Sequence, residues 1–289
     1  MVFHSFPLMN SAILNSTYTV IKESIHKTHI LNPVRTSLKN KTFIVTGGHY
    51  GIGYSIASSI AAYGANVVLL DTCTRDDKKY KNNIYTAAEK ITEMTQKPNC
   101  IAIDCNITHK NHIEYALQET VDIFGGINGI VMNASSTKLY DTLHVSESAI
   151  NNMTYMNIKG NFLLGQKYIR YASKKGGGRI LAISPPLSYI DTKHYWVPHL
   201  YYSMSMMNVT MMLKTWNAEF SNIHVNSVWP VEFSYSSGLN KKRVSNKREQ
   251  STITGEAIKH LLCADAELCS GHHFTDECIV RRVKEQKLS

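Results

Sequence analysis

Apolar residues along this chain come in short unbroken runs, and most runs end on a polar residue. Phe43-Ile44-Val45 is the first. Val67 to Leu70 ends on Asp71, Ile101 to Ile103 on Asp104, and Ile130 to Met132 on Asn133. Ile180 to Ile183 ends on Ser184, and His224 to Val228 runs into Trp229-Pro230. Helix-length segments separate the runs. The first, Tyr54 to Tyr63, is closed by Gly64, the residue type that best tolerates the left-handed turn after a helix. An alternating strand is wet on one face, whereas an unbroken apolar run is dry on both. Such runs interleaved with helices predict an α/β fold, a doubly wound parallel sheet with helices on both faces. Ligands of these sheets bind outside the carboxyl ends of the strands, where Asp71, Asp104, Asn133 and Ser184 stand.

The regular pattern starts near Lys41, so the chain divides into an amino-terminal extension, 1–36, and a single domain, 37–289, without repeats. The extension holds one acid (Glu23) and three bases (Lys22, Lys27, Arg35), with Leu14, Tyr18, Ile21 and Ile25 at helical spacing. That composition suits a mitochondrial targeting helix, and equally a helix or tail lying on the domain surface. The last residues, Lys287-Leu288-Ser289, are not the Ser-Lys-Leu peroxisomal address.

Composition narrows the function classes. Hydrophobic residues make up 43% of the 289, which excludes a disordered chain. No run of about 18 apolar residues is present, which excludes a transmembrane helix. The net charge of +9 is dispersed and lacks a basic-aromatic motif, so a solvated surface is expected rather than nucleic-acid binding. One dense run, Lys241-Lys242-Arg243 with Lys247-Arg248, reads as a solvated lid or as a receiver for an anionic substrate such as an acyl-CoA. The six cysteines show no Cys-x-x-Cys spacing and read as reduced intracellular thiols. Cys269, His272, His273 and Cys278 straddle an expected final strand, so no metal site is assigned.

The chemistry concentrates in Thr46-Gly47-Gly48-His49-Tyr50-Gly51-Ile52-Gly53, between the first strand and first helix. Gly47 permits the tight turn, Gly51 lets backbone approach a pyrophosphate, and Gly53 allows close helix–strand packing. The helix then offers free N–H groups and a positive dipole end to the phosphates. Together these features predict a Rossmann-type dinucleotide site. Asp71, ending the second strand, suits the adenosine ribose hydroxyls and repels a 2′-phosphate, which predicts NAD. Arg75 can offset that repulsion and leaves NADP open. Asp104 is expected at the adenine edge, and Asn133-Ala134 at the ribose.

Thr-Gly-x-x-x-Gly-Ile-Gly, Asn-Ala-Ser and Tyr-Ser-x-Ser, in this order, resemble the short-chain dehydrogenase/reductase family from Leu38 to Val280. Ile84 to Ile91, Ile183 to Leu187, Ala218-Glu219-Phe220 and Trp229-Pro230 are similar to its hydroxysteroid dehydrogenase-like branch. The resemblance implies a homo-oligomeric oxidoreductase. The branch itself implies a lipid-like carbonyl or hydroxyl substrate, NADP, and a mitochondrial or peroxisomal setting; a cytoplasmic one is also open. Asp71-Thr72 stands where the branch favours Ala-Lys, against the NADP preference. No counterpart of the branch's sterol-carrier domain is seen.

By the same resemblance Tyr202 is the acid/base and Asn157 holds a water in a proton relay. The strict counterpart of the catalytic serine is Pro185, so Ser184 is a looser candidate that otherwise just terminates a strand. The family's lysine belongs four residues after the tyrosine, where this chain has Met206. An ordinary tyrosine, with a pKa near ~10, is phenolate in only about one molecule in a thousand at pH 7. A lysine one helical turn away shares its face and supplies charge; methionine does not. The next lysine on the helix is Lys214. Lys193, His194 and His199, before Tyr202, are the substitutes to consider. Met204, Met206, Met207, Met211 and Met212 read as adaptable core or interface packing. Two functions follow: an oxidoreductase with an incomplete catalytic set, or a dinucleotide-binding pseudoenzyme.

Overall fold

The apolar runs become the strands of one sheet. The computed structural model describes residues 37–76, 82–187, 198–230 and 247–288. Its strands are β1 (Thr42–Thr46), β2 (Asn66–Asp71), β3 (Cys100–Asp104), β4 (Gly129–Met132), β5 (Gly178–Ile183), β6 (Ile223–Trp229) and β7 (His273–Thr275). All pairs are parallel, in the order β3-β2-β1-β4-β5-β6-β7. The chain steps outward from β1 to β3, then returns to lay β4 against the other side of β1. Connections therefore leave β1 and β4 in opposite directions, and a crevice opens at their carboxyl ends.

The helices are α1 (Gly51–Ala62), α2 (Ile84–Thr95), α3 (Lys110–Phe124), α4 (Glu147–Met153), α5 (Asn161–Ser173), α6 (Leu200–Glu219), α7 (Lys247–Cys263), α8 (Ala266–Cys269) and α9 (Asp276–Leu288). Successive strand residues point to opposite faces. Val45, Leu69, Val131 and Leu181 thus meet Ile56 and Ile60 of α1 and Leu261 of α7. Ile44, Val68, Ile130 and Ile180 meet Ile113 of α3, Leu164 of α5, and Leu213 and Trp216 of α6. Arg179, at the start of β5, donates to the carbonyls of Leu261, Leu262 and Ala264 at 2.9–3.1 Å. A cation there satisfies carbonyls that the end of α7 leaves without helical partners.

Two details differ from the sequence reading. The first helix begins at Gly51 rather than Tyr54, because the last glycines of the turn already form its first turn. Between α4 and α5 lies a π-helical turn, Thr154–Gly160, whose wider backbone bonding leaves no apolar periodicity to read. Residues 1–36, including Leu14, Tyr18, Ile21 and Ile25, lie outside the described residues, as do Lys193, His194 and the run Lys241 to Arg243. Among the described residues no helix is long and apolar enough to cross a membrane.

Candidate active site

The glycine-rich turn has the geometry its sequence demands. Gly47 and Gly51 have φ of +69° and +60°, the left-handed region where a side chain costs energy. A Cβ on Gly53 would run into the Gly47 carbonyl oxygen and would stand 2.6 Å from Asn133 Nδ2. Around Gly51, by contrast, no atom of the described residues lies within 4 Å of such an atom. The Tyr50 side chain, at the N-cap position, makes no capping bond to the N–H groups of α1, and the first turn carries no acid. The helix therefore presents uncapped N–H groups and its positive dipole end beside an open backbone, the arrangement a pyrophosphate requires. Ile52 turns inward and packs on the core.

Thr46 and Asn133 hold this turn to the end of β4. Thr46 is fully buried; its Oγ1 accepts from the N–H groups of Asn133 and Ala134, each at 3.0 Å. Asn133 Nδ2 donates back to the carbonyls of Thr46 and Gly47, at 3.0 and 3.1 Å. The Thr46 hydroxyl and the Asn133 amide nitrogen are thus committed to the protein frame.

At the end of β2, Asp71 Oδ1 accepts from the N–H groups of Thr72 and Cys73, at 2.8 and 3.1 Å. Its Oδ2 lies 2.6 Å from Nδ1 of His49, inside the glycine turn. Both side chains keep only 13% of their exposure. Asp104 is exposed and stands in register beside Asp71.

The candidate catalytic residues gather where β4, α4 and α6 meet. Asn157, in the π-helical turn, is fully buried. Its Oδ1 accepts from Ser136 N–H at 2.7 Å, and its Nδ2 donates to Ser136 O and to Ser205 Oγ, at 3.0 and 2.9 Å. Ser205 Oγ in turn donates to the Tyr202 carbonyl at 2.7 Å. The Asn157 carbonyl accepts from Asn161 Nδ2 at 2.9 Å. Asn157 is therefore a brace between the segment after β4 and the backbone beneath Tyr202.

The Tyr202 side chain lies in the apolar cluster that also holds Met206; the two are 7% and 4% exposed. The side chain of Thr137, an exposed residue just after β4, is the polar group that favours ionisation of its hydroxyl. Burial pushes its pKa well above the usual tyrosine value, and Thr137 offsets only part of that. The phenol is held neutral. Ser184 is fully buried and accepts from Thr210 Oγ1 at 2.9 Å; the same hydroxyl reaches the Pro185 carbonyl at 2.6 Å. This engages Ser184 in the packing of α6 on β5. His199, three residues before Tyr202, has its pKa lowered by burial, so it stays neutral near pH 7 and brings no charge in place of the lysine. Sequence reasoning missed Thr137 and His49. Their positions, just past β4 and inside the glycine turn, were the available signal.

Residues 41–247 match the family model for short chain dehydrogenases, well over half the chain.

The chain belongs to the short-chain dehydrogenase family.

Among its relatives is hydroxysteroid dehydrogenase-like protein 2 of Xenopus laevis, 32% identical over 199 residues, or 68% of this chain and 47% of that protein. The Mus musculus protein of the same name is 31% identical over 201 residues, or 68% and 40%. The chain thus spans about half the length of the curated relatives it matches. Among solved structures, a short chain dehydrogenase of Mycobacterium thermoresistibile superposes with a TM-score of 0.73 at 25% identity, covering 86% of this chain and 88% of that one. As a member of this family the chain is of the oxidoreductase type, and the family's cofactor is NAD(P).

Proposed function

We propose that this protein reduces a carbonyl group on a lipid-like substrate with NADH, and that Tyr202 donates the proton. The observation that carries this reading is the neutral, buried Tyr202 hydroxyl, with Thr137 as its polar neighbour and Met206 where a lysine is expected. A phenol kept neutral is a proton donor; alcohol oxidation needs the phenolate, which burial disfavours.

Gly47, Gly51 and the open end of α1 would receive the pyrophosphate, with Thr46, Ile52, Gly53, Asn133 and Ala134 keeping the turn in shape. Asp71 would accept from the adenosine ribose and Asp104 would meet the adenine edge. When bound, the nicotinamide supplies the hydride. Tyr202 gives its phenolic proton to the substrate oxygen as the adjoining carbon takes that hydride, so the carbonyl becomes an alcohol. The phenolate left behind regains a proton from solvent through the exposed Thr137 hydroxyl. Asn157 and Ser205 keep the Tyr202 backbone in line, and Ser184 steadies α6 through Thr210.

An apolar substrate is supported by Tyr140 and Leu143, which are 48% and 90% exposed just after β4 at the sheet's carboxyl end. The methionines divide: Met206 and Met207 are buried, whereas Met204 and Met211 are 51% and 58% exposed. That outer face of α6 suits self-association. The resemblance further favours a mitochondrial or peroxisomal setting.

The second reading, a dinucleotide-binding pseudoenzyme, is favoured by Met206 itself. Incubating the protein with NADH and a panel of 2-ketones and 3-oxoacyl-CoAs separates the two. Turnover with any of them supports the reductase, and tight NADH binding without turnover supports the pseudoenzyme.

A further inference from the structure

Tyr202 is the third residue of α6, and the first turn of a helix is where fraying begins. The side chain of His199, at the N-cap position, makes no capping bond, and the first turn carries no acid to meet the dipole. Met206, one turn further on, brings apolar packing rather than a directional bond. The start of α6 is instead tied down from the side. Tyr201 Oη lies 2.7 Å from Oγ1 of Thr154, the first residue of the π-helical turn. A threonine hydroxyl has one hydrogen, and that of Thr154 goes to the Ile150 carbonyl at 2.9 Å, so the Tyr201 phenol is the donor of the pair. The Tyr201 ring packs on the same apolar cluster that holds Tyr202 and Met206.

One turn along α6 a second tie runs in the opposite sense. Asn157 Nδ2 donates to Ser205 Oγ, and that hydroxyl donates to the Tyr202 carbonyl. Tyr201 and Ser205 share a face of α6, being four residues apart. Two rungs, 201 to 154 and 205 to 157, therefore hold that face to the π-helical turn, and Tyr202 stands between them. We propose that Tyr201 and Thr154 are positioning residues for the reaction, their bond fixing the uncapped start of α6 and so aiming the Tyr202 phenol. This role rests on the reductase reading of Tyr202.

Proton donation depends on the aim of the donor: a displacement of about 1 Å at a reacting group can cost about a hundredfold in rate. The upper rung can be removed with little else. Tyr201→Phe takes away one oxygen, leaves the ring on the core, and leaves Thr154 its bond to Ile150. Thr154→Val removes the same rung from the other side with the side-chain shape kept. A contact that serves stability alone would show in the melting temperature. One that aims Tyr202 shows in kcat at a temperature where every variant is folded.

The test measures NADH-driven carbonyl reduction, NADH affinity and amide hydrogen exchange along α6 in the full chain. Wild type is compared with Tyr201→Phe, Thr154→Val, the double variant of these two, and Thr154→Ser. Tyr201→Phe and Thr154→Val should each lower kcat about tenfold, with KM and NADH affinity within about twofold of wild type. The double variant should be no slower than either, because both substitutions remove one bond. Thr154→Ser, which keeps the hydroxyl, should restore the rate. Without the rung the amides of residues 203–205 should exchange about fivefold faster, the factor that one net hydrogen bond is worth. An unchanged kcat in folded Tyr201→Phe overturns the positioning role, and so does an equal rate loss in Thr154→Ser. A wild type that reduces no carbonyl counts instead against the reductase reading. The rung is then judged by exchange: unchanged protection of residues 203–205 in Tyr201→Phe overturns it, and faster exchange upholds the tie.

Discussion

Tyr202 and Met206 stand one helical turn apart on α6, buried in the same apolar cluster at 7% and 4% exposure. The residue that should lend charge to the phenol instead joins in desolvating it. Met206→Lys places an ammonium four residues from Tyr202 and should pull the tyrosine pKa back toward neutrality. Alcohol oxidation, measured by NAD reduction, should rise by about tenfold or more, one pKa unit of tuning being a factor of ten. The burial of Met206 sets a cost: unfolding in urea should show a loss of about 1–3 kcal/mol. Unchanged oxidation in a folded variant would mean that the lysine's absence is not what limits the site.

Thr137 is exposed, so its replacement should leave the fold alone. Thr137→Val should slow carbonyl reduction by about tenfold, the lower end for a group that assists proton transfer. Thr137→Ser should restore the rate. A melting temperature close to wild type in both variants separates this effect from structural damage.

Ser184 gives a test of opposite sense. With its hydroxyl buried against Thr210, Ser184→Ala should cost about 1 kcal/mol of stability and leave the rate of reduction within about twofold of wild type. A rate loss of a hundredfold with unchanged stability would return Ser184 to the catalytic set.

The pH dependence of stability follows from two partly buried imidazoles. Burial lowers the pKa of His199 and of His224, for which Arg179 adds a smaller push in the same direction. In the unfolded chain both regain the ordinary value near ~6.5 and bind protons more readily than in the folded state. Their contribution is therefore complete above that value and is lost as pH falls below it. Thermal unfolding followed by circular dichroism should give a lower midpoint at pH 5.5 than at pH 7.5, and His224→Asn should reduce the difference.

The sheet, its strand ends and the glycine turn were legible because each is written locally. A strand buried on both faces must be continuously apolar, and a backbone at φ +69° all but demands glycine. What escaped was tertiary. The brace from Asn157 to Ser136 and Ser205 spans 21 and 48 residues, and nothing in the local pattern marks it. Asp71 was placed at the ribose by its position on β2, but its contact with His49 depends on how the turn folds over the strand. Ser184 ends its strand as expected, yet which way its hydroxyl faces was decided by Thr210, a helix away. Met206 was read from one spacing rule. That its side chain is buried beside the phenol needed the packing of α6.

The role of Tyr202 as proton donor is tested most directly by following nicotinamide absorbance during NADH-driven reduction of the 2-ketone and 3-oxoacyl-CoA panel by wild type and Tyr202→Phe, with NADH affinity measured alongside. Wild type should turn over, Tyr202→Phe should lose about a hundredfold or more, and NADH affinity should stay unchanged within about twofold. Equal rates in the two proteins, or NADH binding without turnover of any carbonyl by wild type, would contradict that role.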